Sequence, residues 1–324
     1  MVAEADTGGR APSGLARRVL LGVALVWSLF QLWIASPLPF EFGVLVFNDT
    51  QSRSIHLAFS IFLAYLAFPA FKASPRDRVP VADWGLALVG AFCAAYLFTF
   101  YRELAARPGQ PTTQDLVVAV LGLGTLLEAT RRALGLPMVV VALVFLGYTF
   151  AGPYMPDMIA HKGASLSRAM SHQWLTTEGV FGVALGVSSG FIFLFVLFGS
   201  LLDKAGAGNY LIKTAFGLLG HMRGGPAKAA VVSSAATGLI SGSSIANVVT
   251  TGTFTIPLMK RVGYRPDQAG AVEVSSSVNG QLMPPVMGAA AFLMVEYVGI
   301  PYTQVIKHAF LPATISYIAL VYIV

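Results

Sequence analysis

Long apolar runs, separated by short polar loops, are the feature of this sequence that most constrains its fold. A helix that crosses a bilayer needs about 20 mostly apolar residues, because each residue advances it by only about 1.5 Å. Runs close to this length predict membrane spans at residues 19–36, 55–71, 81–101, 116–130, 136–150 and 180–202. We therefore expect an all-α, polytopic membrane protein whose outer surface contacts membrane lipid.

The composition supports a membrane location and excludes several other classes of protein. Hydrophobic residues make up 56% of the 324 residues and charged residues 11%, whereas a soluble domain carries about 25% charged residues. The formal net charge of +6 is spread over the loops, so it indicates topology and no nucleic-acid partner. The single cysteine, Cys93, forms neither a disulfide framework nor a zinc site within one chain. The sequence also lacks the phosphate-binding loop of an ATPase.

Basic residues in the loops predict the orientation of the chain, because cytoplasmic loops are enriched in Lys and Arg. Arg10, Arg17 and Arg18 precede the first apolar run, so residues 1–18 are expected to form a cytoplasmic tail before a retained span. The loops at 72–78 and 203–228 are also basic and are placed inside. The stretch 152–177 then falls outside, where it is either a partner surface or a connecting loop.

Residues 226–259 form a mostly apolar segment with basic residues at both ends, Arg223 and Lys228 before it and Lys260 and Arg261 after it. The positive-inside rule places both ends on the same side of the membrane, which a single crossing cannot do. The middle of the segment is rich in Gly, Ser and Thr. Because glycine lets the backbone leave helical geometry, we predict a re-entrant helical hairpin.

The tip of this predicted hairpin carries small polar residues, which are Gly242, Ser243, Ser244, Asn247 and Thr250. Irregular backbone at membrane depth is tolerated only where protein or a water-filled cavity surrounds it. Hydroxyl and amide oxygens are hard ligands that suit a small hard cation, and exposed N–H groups suit an anionic solute. Helix packing through small residues is the alternative for any single Ser or Thr, but their combination favours a binding site.

A second break is predicted at residues 279–285, NGQLMPP, between half-helices at 268–278 and 286–298. Pro284 and Pro285 have no backbone N–H and disfavour a helix, so carbonyl groups one turn earlier are freed. Broken helices with freed carbonyls recur at the coupling-ion sites of transporters. Gly280 and Gln281 are therefore candidate site residues together with the two prolines, and a simple proline kink is the alternative.

Two further features admit a catalytic or proton-carrying interpretation. Residues 186–190, GVSSG, match the G-x-S-x-G pattern of serine hydrolases around Ser188, but that pattern needs a strand-to-helix turn and a histidine partner. Glu273 is either a buried proton carrier or a solvated residue near a helix start, and its closeness to Arg265 and Asp267 favours the solvated placement. We predict that the protein is not an enzyme. A membrane-embedded serine hydrolase and a non-catalytic channel or scaffold subunit are the alternatives to a transporter.

Two runs of sequence resemble the large-permease subunit of TRAP transporters, the tripartite ATP-independent periplasmic transporters. They are residues 241–260, SGSSIANVVTTGTFTIPLMK, and residues 279–292, NGQLMPPVMGAAAF. The segments 126–132, LLEATRR, and 176–179, TTEG, are similar to the fused permeases of the TAXI subclass, in which a small four-helix subunit precedes the large one. The resemblance covers most of residues 114–324.

This resemblance implies a sodium-coupled elevator transporter of the bacterial inner membrane. A periplasmic TAXI-type binding protein would deliver an organic acid, Na⁺ would be the coupling ion, and the hairpin and the helix break would frame one sodium site. The implied regions are a small four-helix permease at 19–134, a connecting span and periplasmic loop at 135–177, and the first half of the large permease at 178–324. Fused permeases are longer, so we expect a chain truncated at its C-terminus.

Overall fold

The computed structural model describes residues 8–324, so residues 1–7 of the predicted cytoplasmic tail lie outside the described part. Helices account for 76% of the described residues, and no strand occurs among them. The prediction of an all-α protein is confirmed. The described residues divide into two compact units, 8–190 and 191–324.

The first unit contains helices α1 to α9. Asn48 and Thr112 begin α3 and α6 by accepting hydrogen bonds from backbone N–H groups one turn later, as is typical of helix N-caps. The bounds are Gly14–Ala35 (α1), Leu38–Phe42 (α2), Asp49–Ala67 (α3), Val81–Thr99 (α4), Tyr101–Ala106 (α5), Thr113–Leu134 (α6), Leu136–Ala151 (α7), Leu166–Met170 (α8) and Val183–Val187 (α9).

The core of the first unit is built around Trp174, which is fully buried. Its ring contacts Gly122 so closely that a Cβ there would collide with the indole. Its Nε1 donates to the Cys93 carbonyl over 3.1 Å, because a buried indole N–H needs an acceptor. Cys93 is itself buried and packs against aliphatic and aromatic neighbours.

A buried ionic network fixes one end of the first unit. The Asp83 carboxylate accepts from Arg10 at 2.5 Å and from Arg132 at 2.8 Å. Arg132 also donates to Glu128 at 2.8 Å, and Arg131 donates to Glu128 at 2.7 Å. Glu128 therefore pairs with both of the arginines that follow it in α6.

Replacing Asp83 with asparagine is expected to lower the free energy of unfolding by about 3–5 kcal/mol, because it leaves buried arginine charge without its carboxylate. Thermal unfolding of the detergent-solubilised protein, followed by tryptophan fluorescence, measures the loss. Asp267→Asn is the matched control, because Asp267 pairs with Arg265 on the exposed surface. Equal shifts in the two variants would contradict a structural role for the buried network.

The second unit contains helices α10 to α16. Their bounds are Phe193–Lys204 (α10), Ala207–Leu219 (α11), Gly225–Ser241 (α12), Ser244–Arg261 (α13), Pro266–Asn279 (α14), Ala289–Val298 (α15) and Tyr302–Ile323 (α16). A π-helical turn, Ser188–Ile192, precedes α10.

Five helical segments among the described residues are long and apolar enough to cross a membrane, and they are Gly14–Ala35, Val81–Thr99, Leu136–Tyr154, Val183–Lys204 and Tyr302–Ile323. The predicted spans at 19–36, 81–101, 136–150 and 180–202 fall on four of these segments. Those at 55–71 and 116–130 fall on α3 and α6, which are helical but include Asp49 and Arg53 or Asp115 and Glu128. The polytopic membrane fold is confirmed.

Helices α12, α13 and α14 contact one another through buried faces of small and polar residues. Small residues let helix backbones approach closely, and their hydroxyl groups bond across the interface. The buried polar positions of this three-helix bundle are Ser233, Ser234 and Thr237 on α12, Asn247, Thr251 and Thr255 on α13, and Glu273, Ser276 and Ser277 on α14.

Candidate ion and solute site

The predicted hairpin is present, and its tip consists of two residues between α12 and α13. Gly242 has φ +59°, the left-handed region that a residue with a side chain adopts at a cost. Ser243 caps α13, since its hydroxyl accepts from the Ala246 N–H at 3.3 Å. The chain therefore reverses within one turn, as the glycine and serine content predicts.

The predicted helix break is also present. Helix α14 ends at Asn279, a 3₁₀ turn covers Gly280–Leu282, and α15 begins only at Ala289. The Gly288 N–H donates to the Gln281 carbonyl at 2.8 Å and closes the irregular segment into a loop. A discontinuous helix, and not a simple kink, is confirmed.

The hairpin tip lies directly against the helix break. A Cβ on Gly242 would collide with the Met287 carbonyl oxygen, and a Cβ on Gly238 would lie 2.7 Å from the Gly280 Cα. Across the same contact the Gln281 side-chain amide donates to the Ser244 hydroxyl at 2.7 Å. The structure therefore brings these two sequence-predicted segments together.

Asn247 holds the two arms of the hairpin together from inside. Its side chain is 2% exposed. Its Nδ2 donates to the Ser234 carbonyl at 2.9 Å, and its Oδ1 accepts from the Thr237 hydroxyl. A Cβ on Gly280 would lie 3.0 Å from Asn247 Nδ2, so the amide also reaches the helix break.

Two cavities flank the hairpin tip. One, of about 370 Å³, is lined by Ser243, Asn247 and Thr250 together with Asp203 of α10. The other, of about 500 Å³, is lined by Gly242, Ser243, Gln281 and the first turn of α15. Seven candidate residues therefore lie at the tip, at the break or on these cavities: Gly242, Ser243, Ser244, Asn247, Thr250, Gly280 and Gln281.

The two prolines shape the break but line neither of these cavities. Pro284 is buried and Pro285 is exposed. The Tyr302 hydroxyl donates to the carbonyl oxygen of Pro285 at 2.6 Å and to that of Val286 at 2.8 Å. The two prolines therefore contribute by ending the helix and by directing the carbonyl groups of the break.

Helix dipoles give this region a distinct electrostatic character. The C-terminal ends of α12 and α14 meet where Gly238 contacts Gly280, and each end carries carbonyl groups and partial negative charge. The N-terminal end of α15 and the N-cap of α13 instead face the second cavity, and N-termini carry partial positive charge. Carbonyl, hydroxyl and amide oxygens near the converging C-termini fit a small hard cation.

Glu273 is not solvated, contrary to the sequence-based expectation. Its side chain is fully buried on α14, and hydroxyl groups from all three helices of the bundle surround it. Ser277 donates to Oε1 at 3.2 Å and Ser234 at 3.4 Å, and Thr251 and Thr255 donate to Oε1 and Oε2. In the sequence, the charges at 265 and 267 suggested an exposed helix start. In the structure, Glu273 lies on a face of α14 that consists of small residues and is buried in the bundle.

Ser188 has a histidine neighbour, but the pair is not arranged for nucleophilic catalysis. His56 Nε2 lies 3.2 Å from Ser188 Oγ. Trp27 Nε1 donates to His56 Nδ1 at 3.2 Å, so a neutral imidazole carries its proton on Nε2 and donates to the serine. A general base must instead present a free nitrogen to the nucleophile. Ser188 also lies in a π-helical turn and not after a strand.

Comparison with known proteins supports the assignment of this chain to a family of transporters. Residues 121–324 match the model of the family described as the tripartite ATP-independent periplasmic transporter, DctM component. This match covers more than half of the chain, and the chain belongs to that family. The family consists of transporter permeases and not of enzymes.

Curated relatives match shorter stretches. The chain is 34% identical to the uncharacterized protein y4mL of Sinorhizobium fredii, over 33% of this chain and 25% of the relative. It is 38% identical to the C4-dicarboxylate TRAP transporter large permease protein DctM of Rhodobacter capsulatus, over 28% and 21%. It is 32% identical to the ectoine TRAP transporter large permease protein TeaC of Halomonas elongata, over 29% and 22%.

The chain thus spans a quarter or less of the length of these relatives. No solved structure matches it with comparable significance. The family and the five apolar helices together indicate a multi-pass protein of the bacterial inner membrane.

Proposed function

We propose that this chain supplies the ion- and solute-binding elements of a sodium-coupled secondary transporter, which takes up an organic acid delivered by a periplasmic binding protein. The observation that carries the proposal is the hairpin tip seated on the helix break, where two helix C-termini meet. Re-entrant and broken helices of this kind are tolerated in membranes where they line a binding site.

Sodium as the coupling ion is supported by the ligands available. Gly242, Ser243 and Asn247 at the tip and Gly280 and Gln281 at the break offer carbonyl, hydroxyl and amide oxygens. These are hard ligands, and the converging carbonyl dipoles favour positive charge. Bound sodium would neutralise these dipoles and hold the two segments together.

An acidic solute is supported by the second cavity. No Lys, Arg or His is among its lining residues, so a carboxylate there would bind to the N–H groups at the start of α15 and α13, as anions do at helix N-termini. Two of the matched relatives are named for C4-dicarboxylate and ectoine.

A fused TAXI-type permease with a TAXI-type binding protein remains our proposal for the subclass and the partner. In it, residues 19–134 would act as the small permease that braces the scaffold, followed by the connecting region 135–177. Residues 178–324 would belong to the large permease, whose hairpin bundle would move as in an elevator.

Uptake in proteoliposomes tests this proposal. With the permease and its binding protein present, an inward sodium gradient is expected to drive uptake of labelled organic acids, with succinate in the panel, whereas a potassium gradient is not. A channel would instead leave a cysteine introduced at Ser243, in a Cys93→Ala background, permanently accessible from both sides. Uptake that ignores sodium, or a permanently accessible cysteine, would contradict the proposal.

A further inference from the structure

Glu273 is a buried carboxyl group that the proposed sodium site does not use. It is fully buried on α14, and it lines neither of the two cavities at the hairpin tip. Among the described residues, no Lys, Arg or His nitrogen lies within 4.0 Å of its carboxylate. A buried carboxylate without a cationic partner is costly in a membrane, and such groups are retained for function.

The groups around Glu273 are hydroxyls, and each has a choice of hydrogen-bond acceptor. Thr251 Oγ1 bonds either to the carboxylate or to the Asn247 carbonyl, 2.8 Å away. Thr255 Oγ1 bonds either to the carboxylate or to the Thr251 carbonyl, 3.0 Å away. A hydroxyl rotates freely and serves as donor or acceptor, and threonine in a helix commonly bonds to the carbonyl four residues earlier.

Because each threonine hydroxyl can change its acceptor, both the ionised and the protonated form of Glu273 have hydrogen-bond partners without movement of a helix. When the carboxylate is ionised, the hydroxyls turn and donate to it. When a proton is bound, the new O–H of Glu273 donates to a threonine oxygen, and that threonine donates to its helix carbonyl instead. The reaction is the binding of one proton to one carboxylate, so no further reactant is needed.

The helices packed against Glu273 carry other charged and titratable groups, and among the described residues none of them forms an ion pair with its carboxylate. Tyr317 of α16 is buried, and its hydroxyl donates to the Ser276 carbonyl at 2.9 Å. Lys228 is half-buried near the start of α12. Of the remaining charged or titratable groups on these helices, Tyr302 is half-buried, and the exposed ones are Lys260, Arg261, Asp267, Lys307, His308 and Tyr322.

A proton fits this site better than a metal cation does. The hydroxyl oxygens are already in hydrogen-bond contact with the carboxylate oxygens, so no space remains between them for an ion with several oxygen ligands. A proton requires no such space. The Glu273 carboxylate is thus suited to a proton, whereas the oxygens at the hairpin tip are suited to a metal cation.

We propose that Glu273 is a second cation site of this protein, one that binds and releases a proton. Ser234 and Thr251 connect it to Asn247, because the Ser234 carbonyl accepts from Asn247 Nδ2 and Thr251 Oγ1 reaches the Asn247 carbonyl. Proton binding therefore changes hydrogen bonds next to the hairpin tip. That this proton influences transport rests on the proposed function, whereas proton binding itself does not.

Infrared difference spectroscopy of the protein in lipid tests the site directly. Between alkaline and acidic buffer we expect the carbonyl stretch of a protonated, buried carboxyl group to appear. The band should be absent from Glu273→Gln and present in Glu296→Gln, the same change at an exposed glutamate on α15. In Thr255→Val, which keeps the carboxyl group, the band should persist at a shifted frequency because one hydrogen-bond partner is lost.

A band that survives in Glu273→Gln, or a wild-type protein without any pH-dependent carboxyl band, would overturn the proposal. Sodium binding lost in Glu273→Gln with no such band in the wild type would assign a sodium ion instead, and would also overturn it. The spectra require neither solute nor sodium. A Glu273 band without sodium-driven uptake therefore contradicts only the proposed function, and sodium-driven uptake without the band contradicts only the proton site.

Discussion

Gly242→Ala is expected to abolish sodium-driven uptake. Two physical effects combine at this position. The backbone has φ +59°, where a residue with a Cβ pays about 1–2 kcal/mol. The added Cβ would also overlap the Met287 carbonyl oxygen, and because that atom is backbone, the hairpin tip must separate from the helix break. The measurement is the initial rate of sodium-driven uptake in proteoliposomes at matched protein content.

Gly270→Ala is the control for this experiment. Gly270 lies within α14 with no atom within 4 Å of its added Cβ, and alanine is favoured over glycine in a helix by about 1 kcal/mol. This variant should therefore retain uptake. Equal rates for Gly242→Ala and the wild-type protein would refute the contact between tip and break as a functional feature.

Asn247→Ala is expected to reduce sodium-driven uptake at least tenfold and to destabilise the hairpin. The substitution removes the donor to the Ser234 carbonyl and the acceptor of the Thr237 hydroxyl. The Thr237 hydroxyl keeps the Ser233 carbonyl as an acceptor at 2.9 Å, so the cost is that of the lost hydrogen bonds, about 0.5–1.5 kcal/mol each. It also removes the amide oxygen proposed to contribute to cation binding. Uptake rates and the unfolding temperature in sodium and in potassium buffer measure both effects.

The matched control for Asn247 is Asn209→Ala on α11, where the side chain is exposed. It should leave both uptake and unfolding temperature unchanged. If Asn247→Ala behaves like Asn209→Ala, the buried amide carries neither stability nor transport.

Much of the second unit could be predicted from sequence because its signals are local. Glycine and serine at 241–243 end one helix and cap the next, and Pro284 and Pro285 interrupt another. Both effects act within a few residues. The basic residues on both flanks predicted that the two ends of the hairpin lie on the same side of the membrane. The contact between the tip and the break follows from tertiary packing, and only the resemblance to a known family suggested it.

The sequence did not predict the burial of Glu273, because hydropathy patterns identify a buried helix face by its apolar residues. The buried face of α14 consists of Ala269, Ser276 and Ser277 besides Glu273, and its small residues admit close neighbours. A periodic row of Ala, Ser and Gly around an acidic residue was the signal available. The histidine beside Ser188 could not be predicted either, since residues 132 positions apart meet only in the fold.

Equilibrium binding of radioactive sodium to the purified protein tests the central claim most directly, namely that the hairpin tip and the helix break form one sodium site. Saturable binding is expected in the wild-type protein and in Gly270→Ala. Gly242→Ala at the tip and Gly280→Ala at the break, where a Cβ would meet Asn247, should each remove it. Sodium binding that persists in both single variants would contradict the account.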